Sequence, residues 1–117
     1  MTSSPLTLAD LQREVVRTLA PVRHPRIGAA LALSEEAAEV GKLVLERECY
    51  GASPEPGALA GELADVLVCV AELADAYQVD LSQAVSTKLA DLAGRVPAWS
   101  VDLGPALAQA RARMDGP

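Results

Sequence analysis

Two breaker clusters, PVRHP (21–25) and GASPEPG (51–57), divide this chain, and everything between and beyond them carries apolar residues at helical spacing. No segment alternates apolar and polar residues between turn signals, so the spacing predicts helices and no strands. Thr7 with Asp10 three residues on forms a variant capping box ahead of Leu8, Leu11, Val15 and Leu19. PVRHP ends that first helix. A second is expected from about Ile27 to Cys49 and a third from about Ala58 to Tyr77. Asp80 with Gln83 three residues on caps a fourth, which is expected to reach about Ala93 and to stop at Gly94 and Pro97. Pro105 suits the first turn of a short C-terminal helix ending near Met114. The expectation is an all-α fold, a four-helix-bundle-type core in a single domain over residues 1–117.

The chain has 117 residues, half of them apolar, enough to bury a core. With one Trp, two Tyr and no Phe, that core is expected to be aliphatic. The third helical segment is apolar on nearly every side apart from Glu62, Asp65, Glu72 and Asp75, which predicts a central position. Four main helices supply too few neighbours to cover it, so a homo-oligomer, at least a homodimer, is expected to complete the core. A net charge of -6 argues against a nucleic-acid polymer or an anionic membrane as the partner. Such a chain still binds a phosphorylated ligand where a cation mediates. Cys49 and Cys69 are expected to be two buried thiols, and the single His cannot complete a zinc site. The amino terminus has neither a basic n-region nor a signal-peptide core, and no apolar run approaches the roughly 20 residues needed to cross a bilayer. A cytoplasmic location is expected.

Carboxylates stand where such a core should hold leucine. At about 100° per residue, Glu36 and Glu39 fall within about 60° of each other, on the arc that also holds Ala29, Ala32, Leu33, Val40 and Leu43. Glu62 and Asp65 repeat that spacing on an arc with Leu59, Val66, Cys69, Leu73 and Ala76. Four carboxylates converging in a low dielectric raise one another's pKa, and desolvation adds to the effect. A divalent cation resolves the conflict. Oxygen ligands with no His or Cys specify Mg²⁺, or Mn²⁺ in its place, over zinc or copper. Glu46, Glu48, Glu55 and Asp75 read instead as solvated helix faces.

Glu35 sits at the rim of the same arc. It suits a bridging metal ligand, a base that deprotonates water, or a helix N-terminal acid favoured by the dipole. In the fourth helix Lys88, Asp91 and Arg95 share an arc of about 60°, where two cations would meet phosphate oxygens and Asp91 would orient one of them or read a ligand group. The plainer alternative is an intrahelical salt-bridge set worth about 0.2–0.5 kcal/mol per pair. His24 reads as a loop histidine.

SEEAAEV (34–40) followed by GELADVLVCVAELADAYQVDLSQAV (61–85) resembles the EExxE and ExxD motifs of the MazG-like all-α nucleoside triphosphate pyrophosphohydrolases. The likeness covers about residues 22–97, including the HP before the second helix, the VDL before the fourth, and the lysine and arginine beyond. It implies Mg²⁺-dependent cleavage of a nucleoside triphosphate between the α- and β-phosphates, giving monophosphate and pyrophosphate. It also implies metal ligation by Glu36, Glu39, Glu62 and Asp65, with Glu35 binding metal or activating water. Lys88 and Arg95 would then act on the phosphates, and dimers or tetramers are expected. The chain departs from the family where an asparagine usually follows the lysine, here Asp91, and where an aromatic usually separates the arginine from a proline, here Val96. Tyr50, Tyr77 and Trp99 remain as residues able to stack on a base.

SEEAAEV also resembles phosphoribosyl-ATP pyrophosphohydrolase, but that family carries lysines just before its paired glutamates where this chain has ALAL (30–33). A non-catalytic helical interaction module that keeps the acidic motif is the alternative outside the enzymes.

Overall fold

The computed structural model describes residues 5–53 and 55–116, which form five α-helices, one 3-10 turn and no strand. In chain order these are α1 (Leu8–Leu19), the turn Ala20–Val22, α2 (Arg26–Tyr50), α3 (Ala58–Ala76), α4 (Leu81–Asp102) and α5 (Gly104–Asp115). The fold is all-α, as the punctuation predicts. It divides into two compact units, the first running to Ser82 and the second starting at Gln83.

The helix ends follow the local chemistry. Thr7 and Asp10 exchange hydrogen bonds at α1: the Asp10 amide donates to the Thr7 hydroxyl and the Thr7 amide to the Asp10 carboxylate, both at 3.1 Å. These bonds also hold the Asp10 carboxyl below its ordinary pKa, the Thr7 backbone amide contributing most. At the far end of α2, Gly51 adopts φ 65°, a left-handed conformation that costs glycine nothing. Its amide donates to the Glu46 carbonyl and closes the last turn.

In the first unit α3 packs against both α1 and α2, which gives it the central place predicted from its composition. Its most deeply buried side chains are small. Among the described residues the buried apolar ones are Val15, Ala29, Ala71 and Ala74, whereas Leu31, Leu63 and Leu67 remain about half exposed. Polar clasps fix the connections. The Gln12 side chain donates to the Val79 carbonyl at 2.5 Å and accepts from the Leu81 amide at 3.2 Å, tying α1 to the segment before α4. Arg23, just after the 3-10 turn, meets Asp75 of α3 at 2.8 Å, so Asp75 is an ion-pair partner as well as a surface acid.

The second unit corrects one boundary. α4 continues through Gly94 and Pro97 to Asp102 instead of stopping there. Proline deprives a helix interior of one amide and crowds the carbonyl four residues earlier. Here helix-compatible sequence on both sides carries the helix across. α5 follows after Leu103, with Pro105 in its first turn as expected.

Candidate metal centre

α2 and α3 bring three of the four predicted ligands together. One carboxylate oxygen from each of Glu36, Glu62 and Asp65 lies within 4.8 Å of the others. Glu36 comes from the middle of α2, and Glu62 and Asp65 come from successive turns of α3. Glu36 and Glu62 are half-buried and Asp65 is exposed. One Glu62 oxygen, Oε2, is buried without a hydrogen-bond partner. A carboxylate oxygen removed from water and left unpaired is costly unless a proton or a cation meets it.

The electrostatics agree with the geometry. Burial pushes the Glu36 carboxyl above its ordinary value of 4.5, and the charges of Asp65 and Glu62, a hydrogen bond with Glu62 and the charge of Glu39 push it further. A counter-charge would relieve the repulsion among carboxylates this close. A site of oxygen donors alone fits a hard divalent cation such as Mg²⁺ or Mn²⁺.

Glu39 stands outside this trio. It is exposed, one helical turn beyond Glu36, and acts on it through its charge. Glu35 is exposed as well, and it lies nine residues into α2, so the helix N-terminal reading of this acid does not hold. Glu35 and Glu39 are four residues apart and share one exposed edge of the helix. Lys88, Asp91 and Arg95 belong to the second unit. There Arg95 Nε lies 3.3 Å from Asp91 Oδ2, the intrahelical pair that the spacing allows. The aromatic candidates Tyr50, Tyr77 and Trp99 are all exposed, and Tyr77 lies under the Arg26 guanidinium at 5.5 Å.

A neighbouring pair escaped the sequence reading. Glu72 is buried, with its Oε1 2.8 Å from Nδ1 of His24 and its Oε2 buried without a partner. His24 is therefore no free loop histidine; it binds the segment before α2 to α3. The available signal was the spacing 62, 65, 69, 72, which puts Glu72 on the same α3 face as the two acids and Cys69.

The cysteines differ from expectation too. Cys49 is exposed, in the last turn of α2, and Cys69 is half-buried. Burial raises the Cys69 thiol, and the charges of Glu36, Glu72 and Asp65 raise it further. Alkylation follows the thiolate fraction and access. Iodoacetamide at pH 8 should therefore modify Cys49 at least about tenfold faster than Cys69, as followed by peptide mass spectrometry. Equal rates would contradict the environment assigned to Cys69.

Neither a known protein family nor a curated protein matches this chain. No helix among the described residues is long and apolar enough to cross a membrane.

Proposed function

We propose that the chain is a Mg²⁺-dependent nucleotide pyrophosphohydrolase, cleaving a nucleoside triphosphate to its monophosphate and pyrophosphate. The observation that carries this reading is the trio Glu36, Glu62 and Asp65, together with the buried, unpartnered Oε2 of Glu62. Its motif resemblance gives the substrate class. Mg²⁺ held by these three residues, with Glu39 approaching from the exposed edge, would supply charge neutralisation at the phosphates and a lower pKa for water.

The chain's own residues have separate tasks. Glu36, Glu62 and Asp65 would hold the cation at the α2–α3 contact. Glu35, exposed on the same edge as Glu39, accepts the proton of the water that attacks the α-phosphorus. The motif resemblance assigns Lys88 and Arg95 to the phosphates and the departing pyrophosphate; within α4, Arg95 pairs with Asp91. Without a Gly-rich cradle ending in GK[ST], phosphate binding depends on the cation and these side chains. The half-exposed Leu31, Leu63 and Leu67 offer apolar surface for assembly into a homodimer or homotetramer.

A panel of canonical and damaged nucleoside triphosphates, incubated with Mg²⁺ and resolved by chromatography, tests the reading. Monophosphate and pyrophosphate in equal amounts are expected. Orthophosphate as the first product would reject attack at the α-phosphorus, and turnover of phosphoribosyl-ATP alone would move the chain to that activity.

A further inference from the structure

α4 carries an uninterrupted, largely exposed apolar seam. Val85, Leu89, Leu92, Val96, Trp99 and Leu103 follow one another at spacings of four and three, the repeat that keeps one stripe of a helix facing a partner helix. Leu92 is half-buried, and the other five are about 39–60% exposed: Val85 39%, Leu89 60%, Val96 50%, Trp99 41% and Leu103 51%. The stripe reaches the end of the helix because the Leu103 amide still donates to the Trp99 carbonyl at 2.7 Å. Its two flanks differ. Ser86, Ala93 and Ser100 line one side with small residues; Lys88, Arg95 and Asp102 line the other with charge.

We infer that this stripe is an interface with the α4 of a second copy of the chain, running antiparallel. The pattern is self-complementary in that direction. Pairing Val85 with Leu103, Leu89 with Trp99 and Leu92 with Val96 of the other copy fills every layer with apolar side chains and places each Trp against a leucine. The same register sets Lys88 opposite Asp102 twice. It brings the two Arg95 side chains near the two-fold axis, a repulsion reduced because each is already paired with Asp91 of its own helix. Small residues on the opposite flank allow the two backbones to approach closely. A parallel pair would stack Trp99 on Trp99 and set Lys88 and Arg95 against Ala93 and Ser100, with no opposite charge. The inference concerns association alone and does not rest on the proposed hydrolysis.

The experiment uses the full chain with Cys49→Ser, without nucleotide. Ala93→Cys places a thiol on the small flank, where antiparallel pairing sets residue 93 against its own copy, and Ala90→Cys places one on the outward face. Under mild oxidation Ala93→Cys should give a disulfide-linked dimer and Ala90→Cys should not. Adding Lys88→Asp or Asp102→Lys to Ala93→Cys creates like charges at both ends of the seam, and each should weaken association about tenfold. Mixed in equal amounts, these two variants should cross-link again, since the acidic seam of one meets the basic seam of the other. Equal cross-linking at residues 90 and 93, or no recovery on mixing, would overturn the inference. So would a cross-link unaffected by either charge change. If Leu92→Glu lowers the melting temperature of a chain that stays monomeric, the stripe covers part of its own chain and the inference fails.

Discussion

Glu36→Gln should make the metal-free protein more stable at pH 7 than the wild type, and should reduce the proposed nucleotide hydrolysis by at least about 100-fold. The folded Glu36 carboxyl lies above its ordinary value of 4.5, first through burial and then through Asp65, Glu62 and Glu39. A carboxylate with a raised folded pKa holds its proton in the folded state at a pH where the unfolded chain has lost it. The resulting stabilisation is complete below the unfolded value and is lost as pH rises through the folded one. Wild-type stability in EDTA should therefore fall as pH rises from about 4.5 toward neutrality. Glutamine has no proton to lose and leaves Glu62 and Asp65 with one fewer like charge, so the variant should show a flatter profile. Thermal melts of both proteins in EDTA across that range check the sign. A wild type whose melting temperature rises over the interval, or a variant that melts lower at pH 7, contradicts the charge arrangement described for the trio.

His24→Ala should destabilise the protein by about 1–2 kcal/mol at pH 7. Truncation leaves the buried Glu72 carboxylate with no partner at either oxygen, and the cost of an unpaired buried charge exceeds that of the lost bond. Because the His24 side chain is half exposed, water screens part of the interaction, which sets the magnitude below that of a fully buried pair. The companion change distinguishes this cause from lost packing. Glu72→Leu in the His24→Ala background should recover most of the loss, since it removes the stranded charge and fills the same space. Urea unfolding of the two single variants, the double variant and the wild type gives the coupling directly. Additive losses would show that His24 and Glu72 act independently.

What the sequence discloses here depends on how local the deciding interaction is. The capping box of α1 and the breaks at PVRHP and GASPEPG act within a few residues, and the helices start and end close to where these signals put them. Pro97 is local as well, yet helix-compatible flanks outweigh it, and α4 passes through it. Helical angle alone places Glu36 with Glu39 and Glu62 with Asp65. It does not say how wide the contact between two helices is. The α2–α3 contact is built on small residues such as Ala29, and it gathers Glu36, Glu62 and Asp65 while Glu39 falls outside. The His24–Glu72 pair spans 48 residues and required the α3 packing before it could be seen.

The most direct test of the metal centre is isothermal titration of Mg²⁺ into the metal-free wild type and into Glu62→Gln at matched ionic strength. Glu62 supplies the buried oxygen that has no partner, so its neutralisation removes a charge the cation would meet. The wild type should bind saturably, and Glu62→Gln should bind at least about tenfold more weakly. At a hundredfold excess over the wild-type Kd, binding confined to the folded form adds about 2.7 kcal/mol of stability, which gives the titration an independent scale. Saturable binding lost in Glu62→Gln is the predicted result; no saturable binding to the wild type, or equal binding to both, would contradict a cation site at Glu36, Glu62 and Asp65.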